Sequence, residues 1–363
     1  MNRFLHSDGV IFAPRGGDTL GGLGAATSRR RPKRGGDMEE RRVKVLSEFA
    51  TPVCKDVKGG CMNVQKVEYK GWPNCYRWSN GLVDLVVTTD VGPRIIRFSF
   101  IGEANEFKEY EEMLGQVGGD QWQIYGGHRL WHAPEAMPRT YCPDNGPVEI
   151  QVYADFIRLI QPVEATTGIQ KEMDISLAVD RPHVRVVHRL RNCLLWPVEV
   201  APWALSVMAP GGVAILPLPP RGRHEEHLLP TGALVLWAYT DMSDPRWAWG
   251  HRYIRLRQDP TRATPQKIGV MAPADNWLAY WRDGHLFLKT FSVFPGVRYP
   301  DFGACAEVFT NAEMLELETL GPLTALLPGA TVEHTEDWWL FRDVPFPEGD
   351  NGVAQALSTT GLL

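Results

Sequence analysis

The chain is expected to be all-β, a large antiparallel β-sandwich, and three features of its sequence lead there. Runs of β-branched and aromatic residues bounded by Gly, Pro, Asn and Asp follow one another from Met62 to Phe346. No alternation of strand and helix patterns exists that could build a parallel sheet. Finally, 28 prolines punctuate the connections, as expected for many short strands in two packed sheets.

Residues 1–61 differ from everything after them. They are rich in Gly and Arg, and SRRRPKRGGDMEERR at 28–42 has little periodicity, so a disordered extension is expected there. Met38 and Met62 are alternative starts, and a domain over 62–346 begins with MNVQKVEYKGW. The lone basic run RRRPKR is too short to argue for a nucleic-acid partner. Strands are then expected in VDLVVTTDVGPRIIRFSF, VEIQVYADFIRLIQP, VRVVHRLRN, VEVAPWALSVM, ALVLWAYT, HLFLKTF, CAEVFTN, MLELETL and TVEHTEDWWLF. Only NEFKEYEEML, 105–114, has helical composition and spacing. Residues 347–363 read as a C-terminal tail, and no repeat of solenoid or propeller period is present.

Hydrophobic residues make up 44% and charged residues 22% of 363 residues, with a net charge of −5. That is a globular composition, without the basic, aromatic-interleaved surface of a nucleic-acid binder. No apolar run reaches the ~18 residues of a membrane helix. The N-terminus lacks the apolar core and small-residue cleavage site of a secretory signal. The six cysteines form no C-x-x-C, so reduced thiols in a cytoplasmic protein are expected, with no metal and no cofactor.

The stretch YGGHRLWHAPE, 125–135, concentrates the chemistry. The two glycines and Pro134 argue against a helix carrying His128 and His132 at i and i+4. On a strand these two imidazoles share one face while Arg129 and Trp131 share the other. The histidine face is either core or cleft. A metal site from His128, His132 and Glu135 lacks zinc-motif spacing, and His224, Glu225, Glu226 and His227 in PPRGRHEEHLLP read as a solvated loop. The 13 tryptophans suit the apolar face of a sugar ring as well as a core. Arg94 and Arg97 cannot face the same way on one strand; one of them, Arg94 in our assignment, could take an anionic group. Arg221 could lean over a cleft mouth. Lys289 between Phe287 and Phe291, and Glu307 in CAEVFTN, are charges in apolar strands that fit either a cleft or an outer face.

These pieces fall in a recognisable order. GPRIIRFSF at 92–100, IYGGHRLWHAPE at 124–135, VRVVHRLRNCLLWPVEVAPWALSVMAPGG at 184–212, LELETLGPL and LLPGATVEHTEDWWL together resemble the galactose mutarotase-like superfamily over about residues 75–342. The resemblance implies a large antiparallel sandwich with a sugar cleft. It also implies a glutamate base near the final L-x-P-G turn, which here matches Glu318, with Glu316 two residues earlier as the fallback. The family's acid is a histidine that usually follows the R-N…P…A strand. Here that segment is APWALSVM, with Trp203 and no histidine, so the acid is expected from His128 or His132. Arg94, Arg129, Trp131, Glu135, Trp203, Arg221, Lys289 and Glu307 are the expected sugar contacts.

The expected function is therefore anomer interconversion of a small-molecule sugar by a monomer or homodimer, without nucleic-acid or membrane partners. A non-catalytic sugar-binding or sensing protein on the same scaffold is the alternative. A hydrolase or lyase, pairing Glu318 with Glu307 or Glu135, is a third.

Overall fold

In the computed structural model the described residues are 63–271 and 276–362. The expectations for the 1–61 extension and for a start at Met62 lie outside them. The strands run β1 (Asn63–Tyr69), β2 (Trp72–Ser79), β3 (Val83–Thr88), β4 (Arg94–Phe100), β5 (Gly127–Ala133), β6 (Glu149–Val152), β7 (Ile157–Ile160), β8 (Ile169–Leu177), β9 (His183–Asn192) and β10 (Val198–Met208). They continue through β11 (Val213–Pro217), β12 (Leu234–Leu236), β13 (Trp247–Trp249), β14 (Tyr253–Arg257), β15 (Gln266–Val270), β16 (Trp277–Arg282), β17 (His285–Phe291), β18 (Ala306–Thr310), β19 (Leu315–Leu320), β20 (Thr324–Leu326) and β21 (Thr331–Phe341). A single α-helix among the described residues, α1 (Gly349–Ser358), follows.

All strand pairings are antiparallel. The first sheet has the order β1-β2-β3-β4-β5-β10-β19-β18-β15-β12, with β20 also on β10, and the second β13-β14-β11-β16-β17-β21-β9-β8-β7-β6. The expected antiparallel sandwich is what the chain forms. Its main core lies between the sheets, where Leu85, Ile95, Phe98 and Leu317 of the first meet Met173, Val186, Phe287 and Trp338 of the second. Edge-to-face pairs such as Phe98 with Phe287, 6.2 Å between centroids, and Phe107 with Trp338, 5.7 Å, add to the burial of each ring, itself worth about 1.5–3 kcal/mol.

Helix α1 presents Val353, Ala356 and Leu357, at i, i+3 and i+4, to Ile215, Leu286 and Leu288 on the outer face of the second sheet. Asp350 in its first turn accepts hydrogen bonds from the backbone N–H groups of His251 and Arg252. The 347–363 segment therefore carries a docked helix.

In the middle of the first sheet β5 and β19 are buried along their whole length, and β10 from Val200 onward. Both faces of these strands are covered, which is why their sequences show near-continuous apolar runs interrupted by isolated charges.

The helix expected over 105–114 does not form. Phe107 bridges Met208 and Glu109 bridges Gly126 as isolated β-pairs, followed by a turn at 111–115. Asn105 holds the segment extended by accepting from the Phe98 N–H and donating to the Ile96 carbonyl. The spacing of Phe107, Tyr110 and Met113 is helical, but Phe107 enters the main core between the sheets while Tyr110 and Met113 pack in a separate cluster with Val207 and Met314.

The paired glycines have a steric cause. Gly126 (φ +96°) and Gly127 (φ +70°) let β5 pass close to its neighbours. A Cβ on Gly126 would meet the Lys108 carbonyl oxygen at 2.0 Å, and one on Gly127 the Ile95 carbonyl oxygen at 2.4 Å. Both obstacles are backbone, which cannot swing away. Gly126→Ala is therefore expected to destabilise the protein by at least about 1–3 kcal/mol, the scale of one strained backbone position. Urea unfolding of the variant within about 0.5 kcal/mol of wild type would contradict this account.

Candidate functional site

The register of the first sheet decides which side chains meet. Leu205 of β10 lies opposite Arg129 of β5 and Glu318 of β19, Trp203 opposite Trp131, Val207 opposite Glu316, and Glu318 opposite Glu307 of β18. Because opposite residues share a face, Arg129, Trp131, Trp203, Glu316, Glu318 and Glu307 all project from the outer side of the sheet. Lys267 of β15 joins them through the pairing of β15 with β18.

At the centre, the Lys267 ammonium is 2.8 Å from Glu307 Oε2 and 2.8 Å from Glu318 Oε2. It also lies over the rings of Trp203 and Trp237, at 4.8 and 4.7 Å from their centroids. Glu318 Oε2 accepts a second bond from Trp203 Nε1 at 2.9 Å. Arg129 donates from Nη2 to Glu316 Oε1 at 2.9 Å and lies over Trp131 and Trp122. Trp122, Trp131, Tyr141 and Trp203 pack with centroids 5.0–5.5 Å apart. Exposed Glu135 accepts from the Tyr141 hydroxyl.

Burial sets the protonation of this cluster. It pushes the Glu307 carboxyl well above the usual range, with Lys267 opposing and the neighbouring Glu318 and Asp301 carboxyls reinforcing the rise. Glu316 is raised by burial, against the pull of Arg129. Lys267 is held well above its ordinary value because Glu307 and Glu318 outweigh its own desolvation.

The cluster is also incomplete. Nε and Nη1 of Arg129, Oε1 of Glu318 and Nε1 of Trp122 are buried without a hydrogen-bond partner, while the Glu307 carboxyl meets that of Asp301 in a side-chain hydrogen bond. Unpaired buried polar atoms each cost about 1–3 kcal/mol, which sets this patch apart from the closed ion pair of Lys289 with Glu336 between the sheets.

The two expected acids point the other way. His128 and His132 face the second sheet, on the opposite side from Arg129 and Glu318, and both are fully buried. His128 Nδ1 lies 2.9 Å from Ser206 Oγ and its Nε2 2.7 Å from His188 Nε2. His188 donates from Nδ1 to the His334 carbonyl. Lys289, expected in the cleft, is here instead, donating to Glu336 at 2.8 Å and to Ser206 Oγ at 3.3 Å. Glu336 also receives Trp338 Nε1 and the Thr319 hydroxyl, which itself meets His334 Nε2. A carbonyl only accepts, so one directed chain satisfies every member: Lys289 to Ser206, to His128, to His188, to the His334 carbonyl. The Nε2 atoms of His128 and His188 and a Glu336 oxygen lie within 4.8 Å of one another, a metal-ligand grouping, yet their hydrogen bonds close without an ion. His132 Nε2 lies 3.4 Å from Glu164, which pairs with Lys171 at 2.5 Å, while its Nδ1 is buried without a partner.

The remaining expected residues scatter. Arg94 shares the outer face but is fully buried, its Nη groups bound to the Ile124 and Gly126 carbonyls and to Asp144. Arg97 pairs with Asp84. Arg221 is exposed, 2.5 Å from His251, in a loop bordering a separate cavity of about 610 Å³ that does not include the Lys267 cluster. Residues 224–227 form an exposed turn of that loop. Lys267, Trp122, Tyr141 and Asp301 were not picked out from the sequence. Lys267 alone carried a signal, a lysine inside the apolar strand QKIGV, the same irregularity that singled out Lys289.

No protein-family model matches the chain, and no curated protein matches it by sequence. Among solved structures it is similar to a "putative aldose 1-epimerase" from Klebsiella pneumoniae subsp. pneumoniae MGH 78578, with 12% identity, a TM-score of 0.54, and coverage of 84% of this chain and 88% of that one. It is also similar to a TPR-domain containing protein from Parabacteroides distasonis ATCC 8503, with 13% identity and a TM-score of 0.51, over 75% of this chain and 47% of that one. A galactose mutarotase-like protein from Lactobacillus casei ATCC 334 aligns with 74% of this chain and 100% of its own, at 10% identity and a TM-score of 0.49. At identities this low the likeness is one of architecture alone: the chain shares the sandwich fold of the putative aldose 1-epimerase structure. No helix among the described residues is long and apolar enough to cross a membrane.

The inter-sheet network makes a pH prediction. Burial lowers the His334 imidazole from 6.5 to about 3. Below pH 6.5 the unfolded chain binds that proton and the folded one does not, so this histidine's contribution to stability falls as pH drops from about 6.5 to about 3. His334→Gln keeps a donor toward Thr319 and removes the titration. The stability of wild type relative to this variant is expected to fall by about 1.4 kcal/mol per pH unit in that window. Urea titrations showing a pH-independent difference between pH 7 and pH 4 would contradict a neutral buried imidazole.

Proposed function

We propose that the outer face of the first sheet is a carbohydrate site, and that the protein interconverts the anomers of a small aldose by general acid/base catalysis with Glu318 as the base. The observation that carries this reading is the unfinished polar complement of the Lys267 cluster: unpaired donors on Arg129 and Trp122 and an unpaired carboxylate oxygen on Glu318, set among four packed aromatic rings. Sugar hydroxyls both donate and accept, so one pyranose can satisfy donors and acceptors together while its C–H face lies on an indole. Glu318 suits the role of base because Lys267 and Trp203 fix one of its oxygens and leave the other unengaged. The reading takes the protein to work in the cytoplasm, as a monomer or homodimer, without a cofactor.

A second reading keeps the sugar and drops the turnover. It is favoured by the absence, among the described residues, of any histidine in contact with the Lys267 cluster. A scaffold that only binds or senses a sugar needs the same aromatic floor and hydrogen-bond complement, but no proton donor.

Exchange NMR between α and β anomers, over neutral, phosphorylated and uronic aldoses, separates the two. Wild type is expected to accelerate exchange for at least one sugar, and Glu318→Gln to lower the rate about 100-fold or more while the sugar still binds. Trp131→Ala is expected to weaken binding by about 1–3 kcal/mol through loss of the stacking surface. Saturable binding without accelerated exchange would establish the second reading, and no binding across the panel would sink both.

A further inference from the structure

We infer that Glu307 is the proton donor of this site, working opposite Glu318 across a shared lysine. The inference rests on the reading of the site as a sugar mutarotase, and it supplies the acid that neither His128 nor His132 can provide from the far side of the sheet.

Geometry carries it. Glu307 and Glu318 are direct cross-strand partners on β18 and β19, their side chains share a face, and each places one oxygen 2.8 Å from the same ammonium. Glu318 leaves its other oxygen buried and without a partner, while the Glu307 carboxyl meets the Asp301 carboxyl in a side-chain hydrogen bond. Several groups surround Glu307. Lys267 reaches it from β15 and Glu318 from β19, while Asp301 approaches from the turn preceding β18, its own carboxyl raised by burial. Tyr239, the next titratable group, is raised by burial to about 12 and stays neutral. Glu135 lies beyond, close enough to act on both Asp301 and Tyr239. One buried ammonium cannot balance three neighbouring carboxylates, so the cluster must retain protons. Between the two lysine-bound carboxyls, Glu318 accepts the Trp203 N–H, whereas Glu307 has Lys267 as its donor and lies in hydrogen-bond contact with the Asp301 carboxyl.

The reaction then balances. Glu318 Oε1 takes the proton from the anomeric hydroxyl, that O–H pair becomes the C1=O π bond, the bond from C1 to the ring oxygen breaks, and the ring oxygen takes the proton of Glu307. Glu318 is now neutral and Glu307 ionised. After rotation about the adjoining C–C bond, Glu307 removes the hydroxyl proton as that oxygen attacks the other face of C1, and Glu318 returns its proton to the carbonyl oxygen. The two glutamates together carry one negative charge at every stage, and Lys267 touches both. Its charge is thus balanced before and after transfer without a change in the ion pair, which keeps reorganisation small in a buried site.

Two measurements test this on the full chain. In protein labelled at the glutamate carboxyl carbons, wild type at pH 7 is expected to show a protonated carboxyl resonance that disappears in Glu307→Gln. A Glu307 resonance at the ionised position would overturn the assignment whether or not any sugar is turned over. In anomer exchange, Glu307→Gln is expected to lose about 100-fold or more in kcat with sugar affinity within a few-fold of wild type, and to lose the alkaline limb of the pH profile. Glu307→Asp, which keeps an ionisable acid, is expected to recover part of the rate and to restore that limb. Exchange retained within about threefold in Glu307→Gln would overturn the donor while leaving the mutarotase reading intact. Absence of exchange in wild type, with every sugar of the panel, would overturn both.

Discussion

The constraint that organises this molecule is that its central strands have no solvent side. β5, β10 and β19 are covered on one face by the second sheet and on the other by aromatic side chains of the strands and loops, so every polar group they carry has to be completed by the protein or by a ligand held against it. Consecutive residues on these strands serve opposite faces. His128 and Arg129, Ser206 and Leu205, and Thr319 and Glu318 are each one residue apart and belong to different chemical environments.

The two environments solve the same electrostatic problem to different degrees. Between the sheets, one lysine and one glutamate are joined by Ser206, Thr319, Trp338 and three histidines in one connected hydrogen-bond network. Burial keeps the histidines neutral, and the Lys289 ammonium beside Glu336 holds that carboxyl far below its ordinary range. Such a connected network tells the strands which partners to accept, and a one-residue slip would exchange it with the cluster on the other face. On the outer face Lys267 has two carboxylates instead of one, and several atoms around it remain unpaired. Redundant acid beside unfinished hydrogen bonding is the arrangement expected where a ligand and a movable proton belong.

Lysine suits this role better than arginine would. Its ammonium is compact and its three donors can reach two carboxylates at once, while a planar guanidinium tends to lock one of them in a bidentate pair. Arg129 shows the contrast nearby: packed over two indoles and committed to Glu316, it orients rather than balances.

Much of this was written in the sequence, and the missing part has a definite cause. Periodicity, turn residues and the order of motifs fixed the antiparallel sandwich, its strands, and the placing of the two histidines of YGGHRLWHAPE on a face apart from Arg129 and Trp131, because these depend on short-range sterics and the two-residue repeat of a strand. Glu307, Arg129 and Trp131 were legible as polar or aromatic residues in strands, while Glu318 and Trp203 were reached through the resemblance of their segments to the galactose mutarotase-like superfamily. Which face was core and which was site was not, since alternation is symmetric and only the packing of the second sheet breaks the symmetry. That packing sent His128, His132 and Lys289 inward, turned 105–114 from a helical spacing into two β-bridges, and brought Lys267 from 40 and 51 positions away to stand between two glutamates. Contacts of such long sequence separation are set by sheet order and register, and no local pattern records them.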